Sequence, residues 1–276
     1  MKRCIERLCA VCLAFAMAAA AAAPAPDVPY QPRMGQAGKD VVWIPSPDGM
    51  VEKMLDMAGV TPQDFVIDLG SGDGRNVIAA ARRGAHAMGV EYNPDLVELS
   101  KRVAAAAGVA DKAEFVQGDM FAADISKATA LVLFLIPSNL EKLAPKFLAL
   151  KPGTRIVSNT YEIGGGWEPD ETDRLKLCAS WCVAHLYIVP AKVAGTWRLP
   201  SGDLTLTQEF QWFTGTYEMA GIRLQVEDGS VRGNDIRFTV NGVEYAGRVS
   251  GDAMEGVAKG RAATTQWTAR RVSEQE

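Results

Sequence analysis

Histidine is nearly absent from this sequence of 276 residues, which contains only His86 and His185. A metal centre built from several imidazoles is therefore excluded, and no metal site is predicted. The sequence also lacks a long run of lysine or arginine, and its formal net charge is −4. Because proteins that bind nucleic acid present clustered positive charge to the phosphates, nucleic acid is not expected to be a partner.

Cysteine is also scarce, with five residues, of which three fall near the N-terminus. Cys178 and Cys182 are the remaining pair. On a helix, residues four apart have Cα atoms about 6 Å apart, within the range for a disulfide, whereas on a strand they would be too distant. The segment is ambiguous, so a disulfide and two buried thiols are both open.

The N-terminal segment has the parts of a secretory signal peptide. Three basic residues precede the apolar, alanine-rich stretch Leu8–Ala23, in which Ala21 and Ala23 suit signal peptidase. We expect a signal peptide at residues 1–23, a flexible lead-in at 24–40 and an exported protein, periplasmic or extracellular. The apolar stretch is short for a membrane span, so no stable span is expected after cleavage; an uncleaved inner-membrane anchor is the alternative.

Residues 41–190 alternate short apolar or β-branched runs with amphipathic segments. That alternation predicts an α/β fold with a doubly wound, mainly parallel sheet. One helix is expected after Ser46 as its N-cap, and another after Asn93. The predicted strands are Phe65–Leu69, Ala87–Glu91, Glu114–Val116, Ala130–Ile136, Thr154–Tyr161 and Ala184–Pro190.

Residues 191–276 consist of short alternating runs interrupted by glycines. Period-two alternation with turns such as Asn241-Gly242 is typical of antiparallel hairpins. We expect about six to eight strands in a small antiparallel β domain, arranged as a meander or a half-open barrel. The boundary with the α/β domain is placed near residue 190.

Three alternating glycines, Gly70, Gly72 and Gly74, follow the first predicted strand. Glycine lets the backbone turn sharply and lets a ligand approach where a Cβ atom would clash. A dinucleotide fingerprint would need glycine at the position of Arg75, and no Gly-Lys-Ser/Thr sequence follows for a phosphate loop. The expected ligand is therefore a small molecule that carries no phosphate group.

The flanking carboxylates of Asp68 and Asp73 suit the cationic amino and sulfonium groups of S-adenosylmethionine. The run Asp68-Leu69-Gly70-Ser71-Gly72-Asp73-Gly74 resembles the first motif of class I S-adenosylmethionine-dependent methyltransferases. The resemblance implies a Rossmann-like methyltransferase sheet, S-adenosylmethionine as the cofactor, and Asp68, Gly70, Gly72 and Asp73 among the residues that bind it.

Two further carboxylates follow predicted strands. Glu91 ends the second strand, where an acid can accept hydrogen bonds from both ribose hydroxyls. The resemblance implies that Asp119, after the third strand, binds the adenine amino group and that the backbone amide of Met120 faces the adenine. These residues complete the predicted cofactor site.

A narrower resemblance covers about residues 41–165. Its segments resemble the protein-lysine methyltransferases that modify the ATP synthase c subunit and the adenine nucleotide translocase of mitochondria. This resemblance implies a protein lysine as the methyl acceptor. The segments are Trp43-Ile44-Pro45-Ser46, Asp68–Arg75, Glu91-Tyr92-Asn93-Pro94 and Leu150-Lys151-Pro152-Gly153.

The expected reaction is in-line displacement at the sulfonium methyl, for which the protein mainly supplies positioning and exclusion of water. Asn139 and Tyr161, which follow the fourth and fifth strands, are the predicted catalytic residues. A small molecule or a lipid is the alternative acceptor. An exported, non-catalytic binding protein that retains the fold is the alternative function.

Overall fold

The computed structural model describes residues 30–272. They form an open α/β sheet followed by a closed antiparallel β-barrel. The predicted signal peptide lies outside the described residues, as does the start of the predicted lead-in. Within the described part of the chain, no helix is long and apolar enough to cross a membrane.

Seven strands form the α/β sheet. They are β1 (Phe65–Leu69), β2 (His86–Glu91), β3 (Ala113–Gln117), β4 (Ala130–Leu133), β5 (Arg155–Asn159), β6 (Glu171–Arg174) and β7 (Val183–Ile188). Their order is β3-β2-β1-β4-β5-β7-β6, with β1 to β5 parallel and β7 antiparallel to β5. The predicted doubly wound, mainly parallel sheet is confirmed. The strand order reverses between β1 and β4, which opens a crevice at the carboxyl ends of these strands.

The edge strand β6 was not predicted. All four of its residues are polar and exposed, so no apolar alternation marks it in the sequence. It extends the sheet beyond β7, with which it pairs antiparallel.

The described helices cover both faces of the sheet: α1 (Asp48–Met57), α2 (Arg75–Arg82), α3 (Pro94–Ala106) and α4 (Pro137–Leu148). Buried side chains of α1, α2 and α3 share a core with one face, and those of α4 share a core with the other. The Asn93 cap of α3 is confirmed, because its side chain accepts the Asp95 N–H. The Ser46 cap of α1 is wrong. The Ser46 hydroxyl instead accepts a hydrogen bond from Asn159 Nδ2, at 3.1 Å.

The barrel contains β8 (Gly195–Leu199), β9 (Gly202–Glu209), β10 (Trp212–Met219), β11 (Ile222–Arg232), β12 (Asp235–Val240), β13 (Val243–Ser250), β14 (Ala253–Lys259) and β15 (Thr264–Arg271). The antiparallel β region is confirmed, but the half-open arrangement is wrong. The last strand pairs with the first, Arg270 opposite Arg198, and closes the barrel. Aromatic side chains fill its interior: Trp197, Phe213, Tyr217, Phe238 and Trp267 are all buried.

The barrel packs against the segment between β5 and β6. Trp167, only 1% exposed, stacks parallel to Phe210 of the barrel with ring centroids 6.1 Å apart. Gln211 Nε2 donates to the Glu168 carbonyl at 2.8 Å. Apolar and polar contacts together therefore hold the barrel on the sheet.

Cys178 and Cys182 form a disulfide in the loop between β6 and β7, with Cα atoms 5.7 Å apart. Of the two alternatives that the sequence left open, the bridge is present. The loop is neither helix nor strand. Leu177 and Trp181 both have φ of 56°, and these left-handed residues turn the chain tightly enough to bring the cysteines together.

Candidate active site

The glycine loop connects β1 to α2 at the carboxyl edge of the sheet. The backbone N–H groups of Gly70 and Ser71 both donate to the Val90 carbonyl, at 2.8 and 3.1 Å, which ties the loop to β2. Gly72 has φ of +55°, and a Cβ atom there would lie 2.5 Å from Trp43 Nε1. A side chain at position 72 would be both strained and in collision, so the loop requires glycine there.

A pocket of about 950 Å³, including space open to solvent, adjoins this loop. Concave pockets that combine apolar walls with a few polar groups are the usual place for small-molecule sites. Residues 36–44, which we call the strap, form one wall. The structure brings several predicted site residues together around this pocket: Gly70, Glu91, Asp119, Met120 and Tyr161.

Glu91 is held by backbone donors at the end of β2. Its Oε2 accepts the Gly72 N–H and its Oε1 accepts the Asn93 N–H, both at 2.9 Å. Each carboxylate oxygen can accept a second hydrogen bond. The side chain is therefore fixed in position at the pocket and keeps acceptor capacity for a ligand.

Asp68 lies beneath the loop and is buried. Burial raises the pKa of its carboxyl well above the usual value, and the negative charges of Glu91 and Asp73 raise this pKa further. A hydrogen bond from Asn76 Nδ2, at 3.0 Å, opposes the shift. A cationic ligand beside Asp68 would favour its charged form.

Two buried polar atoms of this region have no hydrogen-bond partner among the described residues: Ser71 Oγ and Asn76 Oδ1. Buried polar atoms in folded proteins are nearly always satisfied by protein, water or ligand. Ser71 lies in the glycine loop, and Asn76 is the residue whose side-chain amide donates a hydrogen bond to Asp68. Neither residue lines the pocket, and Ser71 Oγ lies beneath the loop against Gly89 of β2.

Asp119 is engaged by the strap. Its Oδ2 lies 2.6 Å from Lys39 Nζ, and its Oδ1 accepts the Phe121 N–H at 2.9 Å. The hydrogen bond from Lys39 holds the pKa of the Asp119 carboxyl below its usual value. The same ammonium lies 5.0 Å from the ring centroid of Tyr92. Lys39 was not predicted as a site residue, because its partner is 80 positions away in the sequence.

Asp73 and Asn139 lie apart from this pocket. Asp73 forms a bidentate pair with Arg75, at 3.0 and 2.6 Å, so its carboxylate is directed to the start of α2. Asn139 is buried in the first turn of α4, and its Nδ2 has no partner among the described residues. Neither side chain lines the pocket with Glu91.

Three aromatic residues form the remaining wall. Phe134 follows β4, Tyr161 follows β5 and Trp181 precedes β7. The rings of Phe134 and Trp181 are tilted by 59° with centroids 5.9 Å apart. This wall is apolar where the Glu91 and Asp119 side is polar. Within residues 30–272, no cluster of acidic, histidine or cysteine side chains could hold a metal ion.

Comparison with known proteins finds a matching family model and several relatives. The model of the ANTKMT methyltransferase domain matches residues 68–171. A protein-lysine N-methyltransferase of Saccharolobus islandicus (strain REY15A) is 38% identical over 152 residues, which cover 54% of this chain and 94% of that protein. The similarity therefore extends over almost the whole of that relative.

Two mouse enzymes are similar over shorter regions. The lysine N-methyltransferase of Mus musculus that is named for the ATP synthase c subunit is 38% identical over 39% of this chain and 43% of the enzyme. The adenine nucleotide translocase lysine N-methyltransferase of the same organism is 36% identical over 45% of this chain and 57% of the enzyme. The chain thus spans about half the length of each.

A solved structure is also similar. It is titled an RNA methyltransferase from Salinibacter ruber in complex with S-adenosyl-L-homocysteine, and it is 44% identical with a TM-score of 0.51. The similarity covers 54% of this chain and 96% of the other.

Proposed function

Because the chain belongs to the same family of S-adenosylmethionine-dependent methyltransferases as the protein-lysine N-methyltransferase of Saccharolobus islandicus, we propose that its methyl acceptor is a protein lysine. The observation that carries this proposal is the 94% coverage of that relative at 38% identity. The two mouse relatives, both named for lysine methylation, support the same acceptor class.

S-adenosylmethionine supplies an activated methyl group on its sulfonium. The site fits this cofactor, because the glycine loop adjoins the pocket at Gly70 and the fixed carboxylate of Glu91 keeps acceptor capacity there. We propose that Glu91 accepts the ribose hydroxyls and that Asp68 lies near the α-amino group. Asp119 and the backbone of Met120 would face the adenine.

The acceptor amine has to be neutral before it can attack the methyl group. With a pKa of about 10.4, roughly one lysine in a thousand is neutral at pH 7. The aromatic wall of Phe134, Tyr161 and Trp181 would remove water from the amine, and desolvation disfavours its charged form. The protein's contribution is therefore to orient the amine, exclude water and ease the loss of a proton.

The test is a labelling experiment with the full chain, methyl-labelled cofactor and a protein extract. We expect label in methylated lysine, identified by amino-acid analysis. A matched extract whose lysine amines have been blocked by acetylation should accept little label. Equal labelling of both extracts would contradict the proposal.

RNA is the second candidate acceptor, because the similar Salinibacter ruber structure is titled an RNA methyltransferase. The net charge of −4 speaks against a large RNA interface. Adding total RNA to a parallel reaction separates the two candidates. Label that disappears with ribonuclease treatment, and not with protease, would favour RNA.

We further propose that the protein acts outside the cytoplasm. The composition of residues 1–23 and the Cys178–Cys182 disulfide both support export, since disulfides persist mainly in oxidising compartments. Cell fractionation with mass measurement of the purified protein tests it. Recovery in the cytosol with residues 1–23 retained and both thiols free would overturn it.

A further inference from the structure

We propose that Phe134, Tyr161 and Trp181 form the subsite for the acceptor lysine side chain, and that the Cys178–Cys182 disulfide positions Trp181 in it. This inference rests on the proposed lysine acceptor. It extends the site beyond β5, to a loop that lies after the region matched by the family model, which ends at residue 171.

The topology separates two sides of the pocket. The carboxylates of Glu91 and Asp119 follow β2 and β3, on one side of the switch point at β1 and β4. Phe134, Tyr161 and Trp181 come from β4, β5 and the start of β7, on the other side. A cofactor whose nucleoside binds at β2 and β3 would direct its reactive end toward β4. The aromatic wall is therefore where the acceptor has to enter.

The chemistry of the wall suits a lysine side chain. The four methylenes of lysine can pack on aromatic rings, and the faces of such rings attract an ammonium or a methylated ammonium. Phe134 and Trp181 present tilted rings 5.9 Å apart, and Tyr161 lines the same pocket. Such a wall would bind the lysine before proton loss and still accept it after a first methyl transfer.

Tyr161 is fixed by an unusual backbone at the end of β5. Thr160 has φ of 69°, in the left-handed region that non-glycine residues rarely adopt. The Tyr161 N–H then donates to the Asn159 carbonyl at 2.8 Å, and Asn159 itself is buried. The tight turn directs the chain immediately after β5 along the pocket.

The position of Trp181 depends on the disulfide. Its φ of 56° is also left-handed, and it lies next to Cys182, which is buried. The bridge to Cys178 closes a short loop whose base is fixed by the hydrogen bond from Leu175 N–H to the Cys182 carbonyl, at 2.8 Å. Opening this loop would let Trp181 relax to an ordinary conformation and leave the wall.

Reduction is the chemical means of opening the loop. A small dithiol transfers two electrons and two protons to the bridge, which leaves two thiols on Cys178 and Cys182 and a cyclic disulfide of the reagent. The sulfur atoms lie outside the pocket lining, so reduction itself leaves the proposed cofactor groups in place.

The test compares Trp181→Ala and Trp181→Phe with the wild-type full chain. With the protein extract as the acceptor, we expect Trp181→Ala to raise the apparent KM about tenfold, the loss expected for one aromatic face on a cation, with kcat changed less. Trp181→Phe should recover most of the loss. The affinity for S-adenosylhomocysteine, measured by calorimetry, should stay within about twofold of the wild type. Pre-reduction of the wild type with a dithiol should raise KM in the same direction.

Trp212→Ala is the matched control, since this tryptophan is half exposed on the barrel and does not line the pocket. If the wild type labels lysine while Trp181→Ala leaves KM unchanged, or lowers cofactor affinity equally, the subsite is wrong and the proposed function stands. If the wild type labels no lysine in protein, the proposed function fails and the subsite fails with it.

Discussion

At the scale of single residues, Asp68 and Glu91, two carboxylates beside the glycine loop, have opposite environments. Glu91 accepts two backbone N–H groups and stands at the pocket, whereas Asp68 is buried with one amide donor from Asn76. Burial raises the pKa of Asp68, so the folded protein without ligand holds a proton that the unfolded chain releases near pH 4. A cationic group of the cofactor beside Asp68 would instead favour the charged form of its carboxyl group.

The Asp68→Asn variant tests the role of Asp68 in protein stability and in cofactor binding by two separate measurements. Below about pH 4 Asp68 is protonated in both states, but as pH rises only the unfolded chain ionises, so wild-type stability falls toward the raised pKa. We expect the melting temperature of the variant, relative to wild type, to rise between pH 4 and pH 8. Cofactor affinity should fall about 10- to 100-fold, as for loss of a charged hydrogen bond.

Scanning calorimetry across this pH range and titration with S-adenosylhomocysteine make the two measurements. Asp111→Asn is the control, because Asp111 is exposed and does not line the pocket. A melting-temperature difference that does not vary with pH would contradict the account of Asp68.

The residue scale also shows what sequence can predict about the site. Asp68 and Glu91 each end an apolar run that is recognisable as a strand, and parallel strands bring their carboxyl ends to one edge. Lys39 and Trp181 lie in irregular segments whose positions depend on partners far along the chain. No local pattern marks them, so they were missed.

At the scale of elements, the strap (residues 36–44) forms one wall of the pocket beside the glycine loop. It forms a loop whose ends meet, because Trp43 N–H donates to the Gln36 carbonyl and Gly35 N–H donates to the Trp43 carbonyl, both at 2.9 Å. The Trp43 ring then packs over Gly72. The strap is therefore a structural wall of the site.

Trp43→Ala should weaken this wall. Removing the indole uncovers the glycine loop, so we expect the affinity for S-adenosylhomocysteine to fall about tenfold, the effect of losing about 1.4 kcal/mol of contact. Calorimetric titration measures it. The control is Met34→Ala, whose side chain is exposed just before the strap and does not line the pocket. Equal affinities for the two variants would show that the strap does not contact the cofactor.

The elements also differ in how far sequence predicts them. The strands from β1 to β5 have apolar runs between turn residues, and they were predicted. β6 is wholly polar, so no apolar alternation marks it in the sequence. Closure of the barrel depends on β15 reaching β8, a pairing of distant segments that short-range alternation does not report.

At the scale of the whole molecule, the barrel and the sheet share a buried aromatic contact. Trp167 lies between them, parallel to Phe210 and edge-on to Tyr187, with ring centroids 6.1 and 5.1 Å away. Asp170, three residues later, pairs with Arg232 of the barrel at 3.4 Å. We expect the sheet and the barrel to unfold together in one transition, because unfolding either would expose this contact.

Trp167→Ala tests that coupling. Truncating a buried tryptophan costs about 3–5 kcal/mol, and here the cavity would lie at the contact between sheet and barrel. Calorimetry should show a lower melting temperature and a separation of the single transition into two. The matched control is Trp212→Ala, because Trp212 is half exposed and donates a hydrogen bond to the same segment, from its Nε1 to Glu168 at 3.2 Å. It should cost about 1 kcal/mol or less and keep one transition. A single transition retained in Trp167→Ala would mean that the polar contacts suffice to couple the two parts.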